Sequence, residues 1–244
     1  MSVTRAGFLE TADIETSSGD YASRFAGEVG RWFLQVQEAA TLELLAPYPG
    51  AATLDVGGGH GQTADALVNN GYRLTVLGSD PVCKARIAHL VEQGRCAFDV
   101  GDILNLPYPD RAFDVVISYR LLSHVTRWQA FLSELCRVAR AAVILDYPEV
   151  HSINYIEPLL FRYKKKMEGN TRPYTSYKQA DLLNVFERFG FAYADSRRQF
   201  FVPMVLHRKL KNANLSSAVE RICRVAGLTN VLGSPVILKV VRRD

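Results

Sequence analysis

The stretch LDVGGGHGQTA, Leu54 to Ala64, decides the fold. The apolar run ATLDV (Ala52 to Val56) reads as a buried strand. It passes straight into Gly57, Gly58, Gly59 and Gly61, after which Gln62 to Asn70 reads as a helix closed by Gly71. Glycines at such a turn let the backbone bend tightly and approach a ligand closely, with the N-terminus of the following helix facing it. Taken alone, the motif indicates a nucleotide-like ligand at the first strand-to-helix turn.

Downstream, strands and helices alternate. Tyr72 to Asp80 reads as a second strand and Val82 to Gln93 as a helix. Cys96 to Asp102 is a third strand, Ala112 to Tyr119 a fourth, Arg127 to Arg137 a helix, and Ala141 to Pro148 a fifth strand. That rhythm predicts an α/β fold, a mostly parallel sheet with helices on both faces. Upstream, Phe25, Val29, Trp32, Phe33, Val36, Ala40 and Leu44 recur at helical spacing within Tyr21 to Leu45, and residues 1–20 are expected as a flexible arm. After Pro148 the pattern loosens. An inserted helix is expected over Ile153 to Glu168, an amphipathic helix over Tyr177 to Phe189, a strand over Phe191 to Val202, mixed helix over Leu206 to Ala226 and a last strand over Pro235 to Arg242. The expected organisation is one domain: the arm, a core over 21–148, and a substrate lid with the end of the sheet over 149–244.

The bulk numbers narrow the classes. With 244 residues, 48% of them hydrophobic and 22% charged, the chain suits a globular fold. No apolar run approaches the roughly 18 residues of a membrane span, and the N-terminus reads as neither signal nor transit peptide. Cys83, Cys96, Cys136 and Cys223 stand far apart, which argues against a zinc site and for a reducing cytoplasm. The net charge is only +4, and its densest run is Arg162 with Lys164, Lys165 and Lys166. Nucleic-acid binding is not expected, since that calls for a longer basic stripe with interleaved aromatics. The run reads first as a solvated helix face and, as a weaker option, as a contact to an anionic substrate or membrane surface.

Two enzyme classes compete for the glycine loop. A dinucleotide dehydrogenase uses G-x-G-x-x-G, and counting from Gly57 the third glycine falls on Gln62; only the looser Gly59, Gly61, Ala64 form survives. The spacing Gly57, Gly59, Gly61 fits G-x-G-x-G better. Asp55 separates the classes, because a carboxylate is awkward beside a pyrophosphate but suits a cofactor carrying an ammonium and a sulfonium.

On these residues the chain resembles the class I S-adenosylmethionine-dependent methyltransferases, and especially the small-molecule branch related to the ubiquinone-biosynthesis methyltransferases. The resemblance runs from Leu54 to Pro148. It implies a Rossmann-like methyltransferase fold with a seven-stranded sheet, its last strand antiparallel, helical lid insertions, and S-adenosylmethionine as cofactor. Residue by residue, it assigns the first motif to Asp55, Gly57, Gly59 and Gly61. Asp80, followed by Pro81, matches the acid on the ribose hydroxyls, at a distance from the glycines near the about 20 residues usual in such folds. Asp102 matches the position that meets the adenine amino group, with Ile103 alongside the ring. Ser118 and Tyr119, in FDVVISYRLLSHV, would line the methionine end.

The same resemblance makes His124 the first candidate for a general base, with packing of the cofactor pocket as its equal alternative; His151 and Tyr147 are weaker candidates. Asp146 would suggest a metal in the catechol-type branch, but LDYP stands where an Asp-Asn pair belongs, so no metal is expected. The motifs of exocyclic-amine, cytosine-C5 and protein-arginine methyltransferases are absent. Arg31 is a candidate for the methionine carboxylate. Tyr21, Phe25, Trp32, Tyr155, Phe161, Tyr163, Tyr174 and Tyr177 would supply an aromatic lid over a mostly apolar pocket. The expected reaction is methyl transfer to a small molecule, hydrophobic or lipid-linked acceptors included. The alternatives are an NAD(P)-dependent oxidoreductase and a non-catalytic cofactor-binding module.

Overall fold

A computed structural model describes residues 10–152 and 174–243. The expected inserted helix, its Lys-rich run and Tyr155, Phe161 and Tyr163 lie outside the described residues. Strand β1 (Ala52–Val56) is at the centre, flanked by β2 (Arg73–Gly78) and β4 (Phe113–Ser118). The full sheet includes β3 (Cys96–Val100), β5 (Ala139–Tyr147), β6 (Phe191–Phe200) and β7 (Ser234–Arg242), in the order β3-β2-β1-β4-β5-β7-β6. β1 to β5 are parallel, and β7 runs antiparallel between β5 and β6, as the resemblance implies.

Side chains alternate across this sheet and build two cores. Leu54, Val56, Val116, Val143 and Leu145 face helices α6 (Trp128–Val138) and α7 (Gln179–Arg188), packing on Phe131, Leu135 and Phe186. Val115, Ile117, Ala142 and Ile144 face α3 (Gly27–Leu45), α4 (Ala64–Asn69) and α5 (Ala88–Glu92), packing on Leu44, Leu67 and Leu90. A third cluster, Phe25, Val29, Phe33 and Phe200, ties α3 to the far strand β6.

The residues expected as a flexible arm differ from that reading over 10–20. They form α1 (Ala12–Thr16) and lead into α2 (Gly19–Ser23), with Ala12, Asp13 and Thr16 buried. The sequence there is polar because its polar groups bind backbone across the molecule, which periodicity does not reveal. The mixed helix after β6 divides into α8 (Met204–Leu210), α9 (Ala213–Val225) and α10 (Leu228–Leu232). The first break falls where Lys211 takes a left-handed φ of 51° and Asn212 caps α9 through Leu215. Among the described residues no helix is long and apolar enough to cross a membrane.

Candidate functional site

The glycine loop leaves the carboxyl end of β1, where open α/β sheets bind their ligands. Gly57, at φ 79°, turns the chain, and its N–H donates to the Leu77 carbonyl at 2.8 Å. Two neighbours have no room for a side chain. A Cβ on Gly58 would stand 2.2 Å from the Asp55 carboxylate, and one on Gly59 would stand 2.4 Å from the Cys83 carbonyl. The loop is therefore held between a carboxylate beneath and the turn after β2 above.

Asp55 is completely buried. Its Oδ2 accepts a 3.3 Å hydrogen bond from the Thr63 hydroxyl, while its Oδ1 has no partner among the described residues. Burial, helped slightly by the nearby Asp146 charge and opposed by the Thr63 bond, pushes its pKa up to about 7. His60, inside the loop, accepts from the Gln62 N–H through Nδ1, and burial pushes its pKa down to about 3, so it is neutral.

Asp80 and Asp102 follow β2 and β3 on the same edge of the sheet. Each carboxylate is half-buried and caps its own turn: Asp80 accepts from Val82 N–H and Asp102 from Leu104 N–H, both at 2.9 Å. Pro81 is exposed and starts a 3-10 turn, Pro81–Arg86. Ile103 is fully buried in the first core. Ser118 and Tyr119 turn inward. The Ser118 hydroxyl donates to the Val56 carbonyl at 2.9 Å, and the Tyr119 hydroxyl lies 2.8 Å from that of Thr41 on α3. The strand ends thus bring together the loop, Asp55, Asp80 and Asp102, while the side chains of Ser118 and Tyr119 bond to the protein body.

His124 ends the 3-10 turn Leu122–His124 after β4, half-buried, with its ring edge-on to Tyr174 at 5.6 Å. Tyr147 is buried on Gln179 and Glu149, and His151 is exposed with Nδ1 3.4 Å from Glu149. Arg31 is exposed on α3.

Three further groups stand at this edge. Asp13 on α1 reaches across the glycine loop and accepts from the Ser79 N–H at 2.6 Å, the Ser79 hydroxyl at 2.5 Å and the Cys83 thiol at 3.4 Å. Burial holds that thiol protonated, its pKa pushed up to about 12. Arg120, the residue after Tyr119, adopts a left-handed φ of 58°. Its N–H donates to Asp146 Oδ1 at 2.6 Å, its guanidinium donates to Gln37 Oε1 and lies 4.0 Å over the Phe25 ring. Arg120 Nε and Gln37 Nε2 are buried without hydrogen-bond partners among the described residues. A non-glycine residue in that conformation at a strand end costs about 1 kcal/mol or more, so the surroundings must hold it there. Its signal in the sequence was only its position after the fourth strand. Asp13 left none, because it binds from 66 residues away.

A 90 Å³ cavity beside the loop is lined by Thr16, Phe25, His60, Gln62 and Arg86. The larger one, 590 Å³, opens at the amino ends of the strands around Ala52, Arg73, Cys96 and Phe113. We assign no role to it, because the loop and its acids lie at the opposite ends. Among the described residues, no three His, Cys, Asp or Glu side chains are grouped to hold a metal.

Residues 54–145, the span from β1 to β5 that carries the loop and both acids, match the family model described as a methyltransferase domain. This part of the chain is a methyltransferase domain. Among similar curated proteins, a probable S-adenosylmethionine-dependent methyltransferase of Mycolicibacterium smegmatis is 26% identical, over 70% of this chain and 68% of its own length. The ajmaline N-methyltransferase of Rauvolfia serpentina is 42% identical over 60 residues, which are 24% of this chain; the match spans only 21% of that protein. Among solved structures, the magnesium protoporphyrin IX methyltransferase of Synechocystis PCC 6803 with bound S-adenosylhomocysteine has a TM-score of 0.65. It is 16% identical, covering 96% of this chain and 99% of that one, and so shares the domain's fold.

Proposed function

We propose that this chain transfers a methyl group from S-adenosylmethionine to a small-molecule acceptor. The observation that carries the reading is Asp55: a buried carboxylate with an unpartnered oxygen beneath the glycine turn Gly57 to Gly59, in line with Asp80 and Asp102. A dinucleotide would bring its pyrophosphate to that carboxylate, a like-charge contact. A cofactor bearing a cationic ammonium and a ribose finds a counter-charge and hydroxyl acceptors. The residues present therefore fit the group, which when bound supplies the electrophilic methyl carbon.

What the chain contributes is binding, orientation and exclusion of water. Asp55 ionises to meet the ammonium end. Asp80 accepts from the ribose hydroxyls and Asp102 from the adenine amine, each using lone pairs left free by its turn. Arg120, in place of the exposed Arg31, offers its guanidinium to the carboxylate. Asp13 holds α1 over the loop against solvent. His124, beside Tyr174, takes the proton where the acceptor is a hydroxyl. The acceptor we favour is apolar, with a lipid-linked molecule in that class, because Tyr174 is exposed next to His124. Of the other described lid candidates, Phe25, Trp32 and Tyr177 are committed to packing, and half-buried Tyr21 lies against Phe25 with ring centroids 5.9 Å apart. A cytoplasmic location is part of the proposal, since four free cysteines suit a reducing compartment.

Calorimetric titration with S-adenosylhomocysteine, with NADH in parallel, tests the cofactor. Saturable binding of the first alone supports the reading. Binding of NADH alone favours an oxidoreductase and overturns it. Homocysteine-analogue binding with no methyl transfer to any hydroxyl, amine or carbon acceptor would favour a non-catalytic module.

A further inference from the structure

Helix α9 is amphipathic with its polar side turned inward. Ser216 and Glu220 are buried: Glu220 accepts from the N–H groups of Phe201 and Val202 at 2.9 and 2.8 Å and pairs with buried His207 at 3.0 Å. At about 100° per residue, Leu215, Ala218, Ile222 and Val225 then lie on the opposite, outward side, in steps of three and four. Leu215, Ile222 and Val225 are 48%, 69% and 85% exposed, and Val231 on α10 continues the surface at 66%. Scattered exposed aliphatics are ordinary. A buried polar stripe opposite an exposed apolar one on the same helix is not, and it marks a contact surface.

Charge identifies what it contacts. Residues 204–232 carry Arg208, Lys209, Lys211, Arg221 and Arg224, and their one acid is the buried Glu220. The segment's formal charge equals the +4 of the whole chain, so the remainder is balanced. Arg224 turns toward the inward side and donates to the Gln199 carbonyl at 2.9 Å, while Arg221 directly flanks the apolar seam and Lys209 and Lys211 stand exposed just before α9. A second copy docked here would bring these cations against their like. A nucleic acid would leave the aliphatic tips against phosphates. An anionic bilayer surface satisfies both features: aliphatic side chains enter the headgroup boundary while the flanking cations meet the lipid charge. We propose that α8 to α10 form a peripheral docking face for an anionic lipid membrane. This is independent of the methyl-transfer reading.

The test is co-sedimentation of the full chain with phosphatidylcholine vesicles, with and without roughly one-third phosphatidylglycerol, each cation near such a surface strengthening partition about fivefold. Pelleting with anionic vesicles that weakens with added salt is expected, with little on neutral ones. The double variant I222S/V225S should bind at least about tenfold more weakly. Its melting temperature should be unchanged, because both side chains are exposed. Arg221→Glu should weaken binding to anionic vesicles only. No pelleting with anionic vesicles, or equal pelleting of the double variant, overturns the proposal. So does a wild-type dimer that the double variant converts to monomer without vesicle binding, which would assign the face to a second copy. S-adenosylhomocysteine titration of the same samples reports on the cofactor site separately.

Discussion

Asp55→Asn should stabilise the protein and weaken its cofactor site. The carboxyl group titrates near 3.8 when unfolded and at about 7 when buried, because burial disfavours its charged form. Folding therefore favours the protonated acid. The associated stability is fully present below about pH 4 and is lost as pH rises through 7. About three pKa units correspond to about 4 kcal/mol at most, at 1.36 kcal/mol per unit. Asparagine has the same shape, can keep the Thr63 hydroxyl bond and never ionises. Relative to wild type the variant should gain up to about 4 kcal/mol at pH 8 and close to nothing near pH 4. Its affinity for S-adenosylhomocysteine should fall at least about tenfold, the scale of a lost charge-assisted bond. Wild-type affinity should rise between pH 5.5 and 8 with proton release, since the carboxyl must ionise to meet the ammonium. Urea melts of both proteins at the two pH values, with calorimetry at pH 8, read each quantity. A gain independent of pH, a loss of stability at pH 8, or unchanged affinity would refute the reasoning.

Other residues at the same edge give separate outcomes. Asp80→Ala should weaken S-adenosylhomocysteine at least about tenfold and, by removing the cap on Val82, lower stability by about 1 kcal/mol; full affinity by calorimetry would remove Asp80 from the site. His124→Ala should bind the cofactor normally and lose turnover on a hydroxyl acceptor, whereas normal turnover would leave His124 a packing residue. Gly59→Ala should lower the unfolding free energy by about 2 kcal/mol or more, as the added carbon meets the Cys83 carbonyl at 2.4 Å; an unchanged melt would contradict that geometry. Asp13→Ala leaves the buried Ser79 N–H unsatisfied and should cost about 1–3 kcal/mol. It should also raise hydrogen exchange across α1, and unaltered exchange there would show that Asp13 does not hold the helix down.

What could be read in advance follows from how far each signal extends along the chain. Strands β1 to β5 are short runs bounded by glycine, proline or acid, and a local period of that kind survives folding where the sheet buries both faces, as over β1, β4 and β5, though not at the exposed edge strand β3. Asp55, Asp80 and Asp102 were legible for a related reason. Each ends or nearly ends a strand, so its place in sequence fixes its place at the carboxyl edge whatever its side chain does. Side-chain direction has no such guarantee. Tyr119 follows β4 as closely as Asp80 follows β2, yet its hydroxyl meets Thr41 behind the sheet. Arg120, one residue on, reaches Gln37 one turn earlier on the same helix and the Phe25 ring, with its backbone left-handed at φ 58° and its N–H tied to Asp146 on the next strand. That conformation is imposed by tertiary contacts and is not a preference of arginine.

Asp13 is the same effect at longer range. In a Ser-, Thr- and acid-rich segment its carboxylate looks like one more solvated group, and low hydrophobicity argues for disorder. Three donors on Ser79 and Cys83 reverse that inference by meeting a carboxylate that would otherwise be too costly to bury. Polar residues are thus legible where a strand end delivers them and hidden where a partner distant in sequence decides. For this chain the line between the two separates Asp55, Asp80 and Asp102 from Asp13 and Arg120.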